Sequence, residues 1–356
     1  MHIIKTFLLV SLLGTNAAAP LWAQNTPQTD VAQMQRSAHD YLNRGDYPNA
    51  VMMFTQAIRL APSDVSLRRD LAYTYYLSGD TKKAKEVIDP VLNSDAADEQ
   101  TYQLSSAVEN SLGNSGKAKR ILNDGIGKYP NSGLLYNSKG NLFLGDKKEN
   151  DALEVYKNGI HADPSYPLNY FNAAKIFLQN DNAAWALIYA EIYLNLDPFS
   201  QRTIEAKKLM IEGYRKILSP GEGEVLPDFK SDKTRKENQQ QARNFTQTFK
   251  ALLDRAAPAI SDGLNTENLI MLRTRFMLAY TKDYAAQYPF TLLAYQNNML
   301  HDGVYDAYNQ WLFGAADNSQ AFTLWVKNNN KEYTAFENWR KIHPLQPAAY
   351  DPQPPK

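Results

Sequence analysis

Five alanines, Ala50, Ala84, Ala118, Ala152 and Ala186, stand 34 residues apart with no insertion or deletion between them. The stretch around the first, "GDYPNAVMMFTQAIRLAPSD" at 45–64, reads as one helix between a Gly-Asp turn and a proline. Alignment on the alanines divides 31–200 into five blocks, beginning at Val31, Val65, Glu99, Gly133 and Pro167. The eighth position of each is small: Ala38, Ala72, Ser106, Gly140, Ala174. Three further on stand Tyr41, Tyr75, Glu109, Phe143 and Phe177, with one charged exception. Position 24 holds Phe54, Ile88, Leu122, Tyr156 and Ala190. Position 32 holds Pro62, Ala96, Pro130, Pro164 and Pro198, and a proline, lacking the N–H, ends a second helix there.

Small residues at positions 8 and 20, an aromatic between them and proline at 32 resemble the tetratricopeptide repeat, a pair of antiparallel helices per unit. The small residues have a mechanical reason: where the helices of a hairpin approach closely, a larger side chain forces them apart, costing roughly 1–3 kcal/mol. One hairpin cannot bury its apolar face alone, and stacking several makes a continuous core. The resemblance therefore implies an all-α fold: a superhelix of five helical hairpins (31–64, 65–98, 99–132, 133–166, 167–200), a capping helix at 201–218 and a smaller all-helical C-terminal domain. Departures from the pattern carry information. The turn glycine of position 15 is Gly45, Gly79 and Gly113, but then Lys147, with Gly145 two places early, and Asp181. Position 27, small in most blocks, ends on Tyr193, so the fifth block is expected to meet something other than another repeat.

The first residues carry Lys5, an apolar run from Phe7 to Leu13 and small residues before Ala23, the pattern of a cleavable secretory signal over 1–23. A cut after Ala19 competes with one after Ala23; the latter is favoured because Pro20 would follow the former, and Gln24 becomes the mature N-terminus. A spanning helix needs roughly 18 or more continuous apolar residues, which no later stretch approaches. The expectation is an exported, periplasmic or secreted protein without stable membrane insertion, and the "WAQ" ending resembles exported proteins of Bacteroidota. With no cysteine there is no disulfide framework and no acceptor for a lipoprotein acyl chain. Thirty-eight basic residues balance 38 acidic ones, which argues against general affinity for nucleic acid.

The same resemblance implies that the first helix of each pair lines an inner wall. Carried onto this sequence, that wall holds Gln35, His39, Arg69, Tyr73, Tyr76, Gln103, Asn110, Asn137, Asn141, Phe171 and Lys175. Amides match the N–H and C=O of an extended peptide, and tyrosine supplies contact area at low entropic cost. The partner class is a protein or peptide of unspecified sequence. Only Arg69, Asn137, Asn141 and Lys175 could serve a carboxylate clamp, in different blocks and without a paired pattern.

After Leu218, "SPGEGEVLPD" marks a linker at 219–230, followed by a helical domain at 231–346 and a proline-rich tail at 347–356. Helices are expected over 234–257, 267–287, 290–300, 304–313, 319–328 and 331–342. Ala-aromatic-x-x-Trp recurs at a spacing of 14, ending on Trp311, Trp325 and Trp339. These units read as an aromatic core, most clearly for Trp325 and Trp339, or as an aromatic-lined site for glycan, peptide or apolar ligand. His39, His161, His301 and His343 are scattered, with no zinc pairing, phosphate loop or nucleophile elbow, so no catalytic residue, metal or cofactor is assigned. The expected function is a non-enzymatic binding scaffold; the alternative is an envelope hydrolase or transferase using Asp302 or Asp306 with His301.

Overall fold

The computed structural model describes residues 27–219, 233–260, 263–349 and 351. The expected signal peptide with its cut before Gln24, all but the first residue of the linker, and most of the last few tail residues lie outside them. The described residues form seventeen α-helices, a short 3-10 turn at Ala257–Ile260 and no strand. The chain divides into two compact units between Asp80 and Thr81.

The first unit holds α1 (Pro27–Asn43), α2 (Tyr47–Leu60) and α3 (Val65–Leu77). α2 packs on both neighbours through a seam of fully buried Ala38, Ala50, Phe54, Ala57, Leu67 and Ala72. Asp46 and Asp64 cap α2 and α3, accepting from the amides of Asn49 at 3.3 Å and Ser66 at 2.9 Å.

The second unit opens with α4 (Thr81–Leu92), α5 (Glu99–Ser111), α6 (Ser115–Lys128), α7 (Gly133–Gly145), α8 (Glu149–Ala162), α9 (Pro167–Gln179) and α10 (Ala183–Leu196). Each packs on the next, and α5, α7 and α9 also touch in succession, as stacked hairpins require. Ala118, Ala152, Ala174 and Ala186 are fully buried at the close approaches. Gly140 shows how tight these are: a Cβ there would lie 2.3 Å from the Tyr156 ring. The turn before α6 uses Gly113 at φ +83°, and the corresponding turns before α8 and α10 place Lys147 at +59° and Asp181 at +54°. The left-handed conformation is kept although glycine is not.

The remaining helices are α11 (Thr203–Ile217), α12 (Lys233–Ala256), α13 (Thr266–Asp283), α14 (Thr291–His301), α15 (Tyr305–Asp317), α16 (Ser319–Asn328) and α17 (Asn330–Ile342). One hydrophobic core runs from Ala152 to Leu345, and α10 is buried on every face from Ala183 to Leu194 because α9, α11 and α12 all pack against it. Trp185 Nε1 donates to Thr246 Oγ1 at 3.0 Å, and the Trp185 ring meets Phe245 and Phe290. α11 follows the fifth hairpin where a capping helix is expected; α15 covers it in turn, and Lys207 and Tyr214 are buried. Two helix starts are capped from far along the chain. Asp317 accepts from Thr266 N and Oγ1 at 2.9 and 2.7 Å, and Asp351 does the same for Thr291 at 2.9 and 2.7 Å.

The three tryptophan units separate. Trp311 and Trp339 are buried, whereas Trp325 is half-buried on α16, a helix with no fully buried residue. Trp325 packs against the edge of the core through Tyr333 and is less deeply buried than expected, while Trp311, the least certain of the three in sequence, is inside it.

Candidate functional site

On the inner positions of the first unit, His39 Nε2 lies 3.2 Å from Asp70 Oδ2, and Gln35 Nε2 donates to the same oxygen at 3.3 Å. Asp70, which the sequence reading passed over, thus ties α1 to α3. The His39 ring sits edge-on over Phe54 at 5.3 Å. Arg69 and Tyr76 are half-buried, while Tyr73 is 44% exposed, with Leu77 exposed one turn further on. Here α3 offers phenol and aliphatic surface to solvent.

In the second unit, Asn110, Asn141 and Lys175 are exposed and Gln103 is half-buried. Two other candidates are not on the surface. Asn137 is buried and donates through Nδ2 to Asn169 Oδ1 at 3.1 Å, and Asn169 in turn donates to the Gly133 carbonyl at 3.0 Å. Phe171 is buried against Tyr193 at 4.9 Å, with Lys175 Nζ 5.3 Å from its ring centre. Tyr193 at a normally small position therefore stacks on the preceding helix. Asn141 is also committed: its amide donates to Asn137 Oδ1 at 3.3 Å, and its Oδ1 accepts from Tyr156 Oη at 2.7 Å and Asn172 Nδ2 at 3.2 Å. The expectation that these amides meet an extended peptide is corrected for Asn137, whose hydrogen bonds stitch α7 to α9. Asn169 and Asn172 were missed; a second asparagine set one block after Asn137 and Asn141 was the available signal. Lys175 pairs with Glu205 at 2.8 Å on the surface.

The charged exception Glu109 is 1% exposed. Its carboxylate accepts from Lys117 Nζ at 2.6 Å, from Lys85 Nζ and from Asn114 Nδ2 at 2.8 Å. Burial pushes its pKa up, but the hydrogen bonds from Lys117, Lys85 and Asn114 together outweigh it and hold the group at about 2. An aromatic position has become an ionic clip joining α4, α5 and α6.

A second concentration of polar groups lies between α10, α11 and the last helices. Arg273 forks onto Glu191, Nη1 to Oε2 at 2.9 Å and Nη2 to Oε1 at 2.6 Å, with both side chains buried. Glu191 Oε1 also accepts from Gln296 at 2.8 Å and Tyr308 Oη at 2.7 Å. Arg273 donates further to Asn309 Oδ1 at 2.5 Å and Tyr214 Oη at 2.8 Å. Such saturation is what a buried ion pair requires. Against it lies a cavity of about 10 Å³, room for roughly one water. Glu191 is the lone acid in "AAWALIYAEIYL", a sign of a buried partner that the sequence reading did not use.

The residues proposed for hydrolytic chemistry stand on the surface. His301 Nδ1 is 3.0 Å from Asp302 Oδ1, and Asp302 Oδ2 accepts from Trp339 Nε1 at 2.8 Å. Those two bonds, from His301 first and then Trp339, hold the Asp302 pKa down, the wrong direction for a proton donor near neutrality. Asp306 is exposed. Among the described residues no group of three His, Cys, Asp or Glu is arranged to hold a metal.

Residues 41–108 match the family model described as tetratricopeptide repeat. Among curated proteins, the chain is 25% identical over 195 residues to human (Homo sapiens) protein O-mannosyl-transferase TMTC1, covering 53% of this chain and 22% of that protein. It is 24% identical over 147 residues to human (Homo sapiens) tetratricopeptide repeat protein 6, covering 41% and 28%. The chain thus spans about a quarter of the length of the curated relatives it matches. Among solved structures it is similar to TTC0263, a thermophilic repeat protein of Thermus thermophilus, with 18% identity, 53% of this chain and 100% of that one covered, and a TM-score of 0.43.

Proposed function

With tetratricopeptide repeats as the premise, we propose that this chain is a non-enzymatic scaffold that binds a protein or peptide partner through the inner positions of its hairpins. The observation that carries the reading is the contrast along those helices. The small positions are sealed, while Tyr73, Asn110 and Lys175 on α3, α5 and α9 reach solvent. Exposed tyrosine and amide side chains supply area and adaptable hydrogen bonds. In this reading α11–α17 act as a buttress for the fifth hairpin, and the boundaries 31–200 and 201–218 mark the array and the helix that follows it. No described helix is long and apolar enough to cross a membrane. Together with the N-terminal pattern, this supports export and release after cleavage before Gln24, which intact mass measurement of the mature protein checks.

The binding test is capture from an envelope extract by the purified protein. The triple variant Tyr73→Ala, Asn110→Ala, Lys175→Ala should lose the captured partner while its helical circular dichroism stays unchanged. Retained capture would place the interaction elsewhere. Asn141 is left intact because Tyr156 and Asn172 depend on it.

A further inference from the structure

Around Trp311 the fold gathers two cations, neither of which pairs with a carboxylate among the described residues. Lys207 Nζ lies 4.6 Å from the Trp311 ring centre and donates to the Trp311 carbonyl. The Arg340 guanidinium lies 4.8 Å from the same ring centre, 5.4 Å from Phe336 and 5.3 Å from Phe199. Among the described residues Arg340 makes no hydrogen bond or ion pair, and its Nη1 is buried without an acceptor. The buried Tyr295 hydroxyl, close enough to feel the Arg340 charge, has no partner either. Burial, then the charge of Arg340, pushes Lys207 down to about 8, as expected where no anion stands by. A desolvated donor left unpaired costs free energy, and two like charges sharing an aromatic seat add to it. Elsewhere in this core the rule is the reverse: Arg273 is saturated by Glu191, Asn309 and Tyr214. Arg340 is set up as a donor whose acceptor comes from outside.

We propose that Arg340, supported by Lys207, binds a carboxylate carried beside an aromatic or apolar side chain of a polypeptide partner, with Phe199 as the apolar lip. Arg340 is partly buried as a residue with its Nη1 enclosed, and a planar guanidinium fork fits a carboxylate by two parallel bonds. Phe199 is 82% exposed and touches the guanidinium face, so its ring can move aside to free Nη1. That exposed ring suits an apolar neighbour of the carboxylate and disfavours a strongly hydrated phosphate dianion. The proposal rests on the scaffold reading for the polypeptide nature of the partner, yet uses none of the inner-position residues.

The test titrates the full chain with N-acetylphenylalanine, its carboxamide and inorganic phosphate. The readout is the Arg340 guanidinium resonance, identified by its absence from the Arg340→Lys variant. N-acetylphenylalanine should shift that resonance saturably, with the carboxamide and phosphate each at least about tenfold weaker. In calorimetry Arg340→Lys, which keeps charge and stem but loses the fork, should bind N-acetylphenylalanine at least about tenfold more weakly with an unchanged melt. Arg340→Gln is the second variant, with the same expected loss. Equal binding of the carboxamide, tighter binding of phosphate, no shift with any probe, or undiminished binding by a folded Arg340 variant would each overturn the assignment. The Tyr73, Asn110, Lys175 triple variant should bind the probe like the parent, which separates failure of this site from failure of the inner-position reading.

Discussion

Glu109 replaces an aromatic residue with a carboxylate at a buried position, and the helix stack accepts it because Lys85, Lys117 and Asn114 converge on it. Its folded pKa of about 2 lies below the roughly 4.3 of an unfolded glutamate. The stabilisation is therefore fully present above about pH 4.3 and is lost as pH falls through about 2. Glu109→Gln should lower stability at pH 7 by about 1–3 kcal/mol, and the loss should vanish near pH 2 in denaturant melts. A constant deficit across that range would show that packing, not charge, is what the substitution disturbs. Lys147 makes the opposite point, a residue held at φ +59° where three other turns use glycine. A left-handed non-glycine residue costs about 1–2 kcal/mol, of which glycine's extra unfolded-state freedom takes back about 0.4–1. Lys147→Gly should raise stability by roughly 0.5–1 kcal/mol, visible as a higher melting temperature.

At the scale of the hairpin, the close approach couples the sizes of side chains that face each other across the two helices. Gly140 faces the large Tyr156 in the fourth block, whereas Ser106 at the same position goes with Leu122 in the third. Gly140→Ala places a methyl 2.3 Å from a ring that is fully buried, so it should cost about 1–3 kcal/mol despite alanine's better helix propensity. Adding Tyr156→Leu should recover at least half of that loss, since the smaller side chain reopens the seam. The measurement is a double-mutant cycle by denaturant unfolding, and strict additivity of the two changes would rule out the size coupling.

Over the second unit as a whole, the buttressing helices and the fifth hairpin share their polar bonds as well as their apolar core. Arg273 lies on α13 while its carboxylate lies on α10, and Tyr308 of α15 donates to the same carboxylate. A fragment of residues 233–351 would leave Arg273 without Glu191, and an unpaired buried charge costs about 3–5 kcal/mol, a large part of a domain's stability. That fragment should show no cooperative thermal transition. The complementary fragment ending at 219 should keep helical dichroism yet bind an apolar dye such as ANS, because α10 loses its cover from α12. Two independently melting fragments would show instead that the C-terminal helices fold on their own.

The repeat was written in the sequence because contacts between stacked hairpins are local and recur at one spacing, so Ala38, Ala50, Ala118 and Ala152 could be placed in the core from their period alone. The positions of the six C-terminal helices were also legible, through proline and glycine breaks, to within a few residues at most boundaries. Tyr193 at a small position marked where the period ends. What covers that end was not legible: Glu191 and Arg273 are 82 residues apart, and a single long-range pair leaves no periodic trace. The inner wall was legible as a set of positions but not as a surface, since Asn137 and Asn141 look alike in sequence and only Asn169, packed across from α9, buries one of them. The sequence by itself determined the hairpins and their register, because neighbouring turns of chain impose them. Tertiary packing decided which polar groups remain free, because a side chain's hydrogen bonds belong to whatever the fold brings against it.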